Sequence, residues 1–323
     1  MDSSIQPSIQ VQRIQAIGLT VTDIARSILF YTEALRFEVI SDITLEERIS
    51  VQAEELRPNR IRIATLKLGD EQIRLMQYLD EKGKPIPEDS HSNDLWFQHL
   101  AIVVSDMERA YSHLQSFPIE PISTSPQTIP PDNKEAAYIQ AFKFRDPDLH
   151  PLELIWFPPD KGQQKWHQSS DQLFLGIDHT AIAISNTEQS LQFYRDFLGM
   201  HVDGGSFNSQ ETQARMDGLP DAKVRITALR PTQGGLGIEL LDYIEPANGR
   251  PIPSDLKPYD TTYVQAELIV HKIEQANHPL YQNSIQFFPL DSVQLEDYSL
   301  LHHLSHRVKD PTGHALLLIS KQD

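Results

Sequence analysis

Cysteine is absent from the 323 residues. Disulfides and thiolate ligands are therefore excluded, and any bound metal must be held by histidine, carboxylate, amide or water. Basic residues are scarce, with 28 Lys and Arg against 45 Asp and Glu and a formal net charge of −17. That surplus repels a phosphate backbone, no local basic patch offsets it, and nucleic acid is not expected as a partner. Long apolar runs are missing too: the stretch from Ala315 to Ile319 falls far short of the ~18 residues that read as a membrane span. The opening Met1-Asp2-Ser3-Ser4 has neither the basic nor the apolar region of a signal peptide, so the reading is a cytoplasmic chain without a membrane partner. With 39% hydrophobic and 23% charged residues, what is present is an ordinary globular composition, long enough for two domains.

Three separated words recur at nearly one spacing. Thr22-Asp23 followed by Ser27 to Tyr31 returns as Ser185-Asn186 followed by Ser190 to Tyr194, a shift of 163 residues. Gly83-Lys84-Pro85-Ile86-Pro87 returns as Gly249-Arg250-Pro251-Ile252-Pro253, a shift of 166, and Asp146-Pro147 with His150 returns as Asp310-Pro311 with His314, a shift of 164. The halves read as copies of one unit of about 160 residues.

Each half contains a weaker, shorter repeat. Ala16 to Val21, Leu100 to Val104, Thr180 to Ile184 and Ala266 to Val270 suit buried strands. Thr22, Ser105 and Ser185 follow three of them as predicted helix caps. Ile24, Ile28, Tyr31 and Leu35 then form an apolar helical stripe, as do Thr187, Leu191, Tyr194 and Leu198 before a stop at Gly199, while Pro279 shortens a fourth helix. Strand-like runs follow each helix. The organisation predicted is a tail over 1–10, an N-terminal half over 11–157 (modules 11–90 and 91–157), a linker over 158–172, and a C-terminal half over 173–323 (modules 173–258 and 259–323). Pro118 to Asp132, with five prolines, reads as an extended loop.

Four strand-helix-strand-strand-strand modules opening with phrases such as Ile177-Asp178-His179-Thr180-Ala181-Ile182-Ala183-Ile184 resemble the vicinal oxygen chelate superfamily, which includes glyoxalase I, bleomycin-resistance proteins and extradiol dioxygenases. Asp146-Pro147-Asp148-Leu149-His150-Pro151-Leu152-Glu153-Leu154 is the most specific phrase. The resemblance covers nearly the whole chain. It implies an α+β fold of four βαβββ modules arranged as two pseudo-barrels, with a divalent metal held by residues of the first and last strands of paired modules.

Offset places Ala16, His99, His179 and Gln265 at the first-strand position, and Arg74, Glu153, Glu239 and Leu317 at the last-strand position. If neighbouring modules pair, one site holds His99 and Glu153 beside Arg74, and the other holds His179, Glu239 and Gln265. If the middle modules pair, His99, Glu153, His179 and Glu239 share one site and the outer pair has none. Two neutral imidazoles and two carboxylates make a charge-neutral set around a 2+ ion and leave octahedral positions open. The crossed pairing is also what the resemblance implies for fused glyoxalase-type chains, and it is the preferred reading, with Gln265 as the runner-up ligand. A lone histidine at a strand end is more often structural, so the weight rests on four matched positions.

The resemblance implies a divalent ion (Fe, Ni, Co, Mn or Zn), a small-molecule substrate chelating it through vicinal oxygens, and stabilisation of an enolate-like intermediate, with Glu153 or Glu239 as base. It leaves two other functions open: extradiol cleavage by Fe(II), and metal-free binding as in bleomycin resistance. A monomer or homodimer is expected. His150 and His314 recur in every half and read as turn-stabilising, and Tyr31 and Tyr194 as core. His302 and His306 would form an i, i+4 pair only on a helix. Arg74 reads as neutralising the place of a vanished metal, in preference to attracting an anionic ligand into the second barrel. Gly234-Gly235-Leu236-Gly237 reads as a hairpin turn, and no serine triad or phosphate loop is apparent.

Overall fold

The computed structural model describes residues 9–52, 55–169, 171–271, 288–289 and 303–321. The first quarter forms β1 (Gln10–Thr20), α1 (Ile24–Leu35), β2 (Glu38–Gln52), β3 (Glu55–Leu68) and β4 (Glu71–Tyr78). The second forms β5 (Gln98–Val104), α2 (Met107–Leu114), the short β6 (Glu120–Pro121) and β7 (Gln127–Thr128), β8 (Gln140–Arg145) and β9 (Pro151–Trp156). The third forms β10 (Phe174–Ile184), α3 (Thr187–Leu191), β11 (His201–Asn208), α4 (Gln210–Asp217), β12 (Lys223–Arg230) and β13 (Gly237–Glu245). The fourth contributes β14 (Val264–His271), β15 (Phe288–Pro289), β16 (His303–Lys309) and β17 (Ala315–Lys321).

The helices begin one residue later than the predicted caps. Asp23, Asp106 and Asn186 are the caps: Asp23 accepts from the Ala25 and Arg26 amides, Asp106 from Arg109 and Asn186 from Gln189. Thr22 is diverted because its hydroxyl donates to Asp148, and Ser105 because its hydroxyl donates to the Gln172 carbonyl at 2.8 Å. α3 runs on into a π-helical turn, Gln192–Phe197, and the chain leaves through Gly199 at φ 66°. The fourth helix and Pro279 lie outside the described residues. His303 and His306 stand on a strand, so the helical histidine pair is not formed; His302 lies outside the described residues.

The strands make two sheets. One has eight strands in the order β15-β16-β17-β14-β1-β4-β3-β2, and the other has β11-β12-β13-β10-β5-β9-β8-β6 with β7 also on β8. In every module the first and last strands run parallel, and antiparallel seams join β1 to β14 and β5 to β10. The sheets therefore pair module one with module four and module two with module three. Alternate residues such as Leu100, Ile102, Leu154, Ile182, Leu240 and Leu268 face one apolar core shared with the helices.

The repeated Gly-x-Pro-Ile-Pro word helps lock this crossing. A Cβ on Gly83 would stand 1.7 Å from the Tyr259 carbonyl oxygen, and one on Gly249 would stand 1.8 Å from that of Asn93, so only glycine lets each segment lie on its partner module. The next residues repeat the seam: the Lys84 amide donates to Asp260 at 2.7 Å and the Arg250 amide to Asp94 at 2.9 Å. The Asp-Pro turns are tied to the helices in the same duplicated way. Tyr31 and Tyr194 are buried and donate to Asp146 and Asp310, each at 3.1 Å. His150 contacts Asp146 through Nδ1 and the Thr261 carbonyl through Nε2, while His314 Nε2 contacts the Ala183 carbonyl.

Pro158 to Asp171 is more than a spacer. It contains a 3-10 turn, Gln164–His167, with Trp166 buried. The Gly-rich stretch at 234–237 lies in the β12–β13 connection, with Gly234 and Gly235 at φ 74° and 84°.

Candidate metal centre

Register determines which side chains meet. Across the seam of the nine-stranded sheet His99 lies opposite Ala181 and His179 opposite Ala101; the parallel neighbours put Glu239 beside Ala181 and Glu153 beside Ala101. Because the side-chain period is two, all four polar residues project from the face opposite the shared core. The two alanines, both fully buried, leave the room into which longer neighbours converge.

One ligand atom from each of His99, Glu153 and His179 lies within 4.8 Å of the others, and the three residues are buried. His99 Nε2 is 3.3 Å and His179 Nε2 is 3.8 Å from Glu153 Oε2. Glu239 joins them, its Oε2 lying 3.3 Å from His179 Nε2, and it is the most accessible of the four, with 24% of its side chain exposed. Gln265, the runner-up, is not part of this group. It sits on β14 in the other sheet and accepts a hydrogen bond from the Tyr263 hydroxyl at 2.9 Å, because module three pairs with module two.

Asp178 orients the second imidazole. Its Oδ2 contacts His179 Nδ1 at 3.0 Å, directing Nε2 toward the two glutamates. Arg230 donates to the same carboxylate at 2.7 Å, and Trp166 Nε1 and Gln163 Nε2 donate to Oδ1, each at 2.9 Å. Such carboxylate–imidazole pairs set the tautomer and basicity of metal-binding histidines. Sequence reading missed this role although Asp178 adjoins His179; the supports from Gln163 and Trp166 come from the connecting segment and follow no strand period.

The electrostatics favour a neutral His99 beside an ionised Glu153, whereas burial would lower His179 but the Glu239, Asp178 and Glu153 carboxylates raise it above its ordinary value. Burial, reinforced by the Lys143 and His179 charges, lowers His99 to about 4 against the opposing pull of Glu153. Burial would raise Glu153, but His99, Lys143 and His179 hold it down at about 2. Burial raises Glu239, with the Glu153 and Asp178 charges adding to it and His179 opposing. Burial would also raise Asp178; the His179 hydrogen bond and the Arg230 charge keep it well below the usual carboxylate range.

The group fits a divalent cation. Among the described residues His99 Nδ1 has no hydrogen-bond partner although it is buried, and Nε2 faces only the Glu153 carboxylate, an arrangement whose desolvation cost a cation would relieve. Two imidazoles and two carboxylates also match the charge and donor hardness of a first-row divalent ion.

The eight-stranded sheet holds a different set at the equivalent register. Ala16 faces Glu267, Gly18 faces Gln265 and adjoins Arg74, and Leu317 adjoins Glu267. Arg74 and Glu267, 6% and 3% exposed, form a buried ion pair.

The model of the Glyoxalase/Bleomycin resistance protein/Dioxygenase superfamily matches residues 13–154 and again 176–312. The chain belongs to this superfamily. Its two-sheet architecture is that of the superfamily with duplicated modules. Glyoxalase I from Zea mays is similar in structure, with TM-score 0.58 and 16% identity over 95% of this chain and 92% of that one. A mutant of the same maize enzyme gives TM-score 0.60 at 16% identity, covering 95% and 92%. A candidate dioxygenase from Bacillus subtilis gives TM-score 0.55 at 11% identity, covering 97% of this chain and 86% of that one. At these identities the likeness shows the superfamily fold. No curated protein matches the sequence. No helix among the described residues is long and apolar enough to cross a membrane.

Proposed function

We propose that the nine-stranded sheet carries a divalent-metal-dependent lyase or isomerase of the glyoxalase type, with His99, Glu153, His179 and Glu239 as the ligands. The observation that supports it is the convergence of these four side chains from β5, β9, β10 and β13, with His99 finding no hydrogen-bond partner outside the group among the described residues. A divalent ion bound there supplies Lewis acidity toward two vicinal oxygens of a small substrate.

The protein residues divide the remaining work. His99 and Glu153 are the buried, fixed members of the set, and Asp178 holds the His179 ring at its Nδ1. Glu239 combines access with a carboxyl raised by burial, the combination that suits a group taking a proton from carbon beside a carbonyl and returning it to the adjacent carbon. Burial of the other three keeps bulk water from competing for that proton.

The test is metal analysis of purified protein with anomalous scattering to locate the ion, followed by proton exchange beside the carbonyl of 2-oxoaldehyde–thiol adducts in deuterated water. Near one equivalent of ion, lost in His99→Ala and in His179→Ala, with exchange abolished in Glu239→Gln, is the expected outcome. Metal retained in both histidine variants overturns the reading. A second reading draws on the tight trio of His99, His179 and Glu153, which is also a two-histidine, one-carboxylate set of the kind used by Fe(II) oxygenases. Oxygen uptake with catechols by Fe(II)-loaded protein would favour it. Failure to bind any divalent ion would leave small-molecule binding as the function.

A further inference from the structure

The nine-stranded sheet buries a cation beside the proposed ligands, Lys143, that the metal-centre reading does not use. Lys143, on β8, lies opposite Glu153 in the β8–β9 register, so its side chain stands on the same face as the four proposed ligands. Only 5% of that side chain is exposed. Its charge acts on His99, Glu153 and Glu239.

The ammonium is held from behind. Nζ donates to Asp217 Oδ1 at 2.6 Å, and Asp217 sits at the end of α4 with the other oxygen already filled by Gln213 Nε2 at 2.7 Å and the Tyr243 hydroxyl at 3.0 Å. Asp217 is thus saturated and fixed. An ammonium carries three N–H donors, and among the described residues only this one finds a protein acceptor. A buried lysine with two open donors is a poor device for stability, since an apolar side chain of similar size would serve as well there.

We propose that Lys143 is a specificity-determining residue of this centre, selecting substrates that carry an anionic group, a carboxylate or a similar oxyanion, beside the vicinal oxygens. The inference rests on the metal-centre reading and narrows its substrate class. The proposed ligand set with a 2+ ion sums to zero and the Lys143–Asp217 pair also sums to zero, so the face has no net charge to repel an anion. The open N–H groups supply charge-assisted hydrogen bonds in a site shielded from water, where they are strongest. Gln213 and Tyr243 keep Asp217 turned toward the amine, which fixes where the substrate's anionic group must lie.

The test uses Co(II)-loaded protein and paired chelators that differ in one charge: protocatechuate against its neutral amide, and malate against the analogue amidated at its pendant carboxylate. Binding is read from the cobalt visible spectrum under anaerobic conditions. Each anion is expected to bind at least about tenfold more tightly than its amide. Lys143→Met should erase that ratio by weakening the anion at least about tenfold more than the amide, and Lys143→Arg should retain part of it. Should Lys143→Met fold poorly because Asp217 is left unpaired, Lys143→Met combined with Asp217→Asn removes both charges, and the wild-type ratio still decides the matter. Equal affinity for anion and amide in the wild type, or equal weakening of both in the variant, overturns the role of Lys143 alone. Absence of a ligand-bound cobalt spectrum overturns the metal-centre reading beneath it.

Discussion

The two sheets are built from the same repeat and meet their seams in the same register, yet they spend the equivalent positions differently. Where the nine-stranded sheet has His99, His179, Glu153 and Glu239, the eight-stranded sheet has Gln265, Ala16, Leu317 and Arg74. The change that completes the contrast is at a position with no polar group in the first sheet: Glu267 stands where Ala101 leaves space. Its carboxylate meets the Arg74 guanidinium, which occupies the Glu239 position. One sheet gathers donors around a point that calls for a cation, while the other brings its own cation to a carboxylate.

The largest effect expected from breaking this contrast is in the eight-stranded sheet. Glu267→Ala leaves Arg74 buried without its acid and should cost about 3–5 kcal/mol of unfolding free energy by denaturant titration. Arg74→Met with Glu267→Leu should be neutral or more stable by up to about 4 kcal/mol. A loss equal to that of Glu267→Ala would show that the pair does more than fill the space. Next, Ala101→Leu puts bulk where the proposed ligands converge. Overpacking of about 1–3 kcal/mol is expected, together with loss of the stabilisation added by Zn(II), followed by thermal unfolding with and without the ion. Unaltered zinc stabilisation would place the ion elsewhere.

Asp178→Asn keeps the shape but loses the charge beside His179, and metal affinity measured by chelator competition should fall about 10–100-fold. No equivalent dependence should appear on substituting Tyr263, which bonds Gln265 in the other sheet. The smallest effect concerns a feature that joins the sheets. Burial would lower His150, but Asp146 raises it above its ordinary value. The stability it contributes is therefore present below the unfolded value of about 6.5 and is lost as pH rises through the folded one. The unfolding free energy of wild type relative to His150→Gln should shrink as pH rises from mildly acidic to alkaline; a growing difference would reverse the assignment.

Much of the architecture was legible because a strand repeat transmits register. Aligning Ala16 with His179 and Arg74 with Glu239 by offset selects positions that the folded sheets also place in correspondence, and the duplicated Gly-x-Pro-Ile-Pro word is explained by two equivalent close approaches. What stayed hidden lacked a counterpart. Glu267 aligns with an alanine and so carries no signal when only polar positions are compared. Asp217 belongs to α4, a helix inserted between two strands of module three, for which the other modules offer no template among the described residues. Lys143 reads as an alternating strand residue until α4 brings an acid against it. The cap positions were displaced because a threonine or serine next to an acidic or amide residue offers two candidates, and tertiary bonds to Asp148 and Gln172 decide between them.

The stretch that joins the halves reaches into the interior through Trp166 and Gln163 and grips the carboxylate behind His179. The tether is therefore a structural brace. Replacing Gln163 and Trp166 would leave both sheets with their strands, yet would strip Asp178 Oδ1 of both its donors and leave Arg230 alone to hold the carboxylate that aims the imidazole. In this protein the segment between the two repeats thus supplies contacts that neither repeat makes by itself.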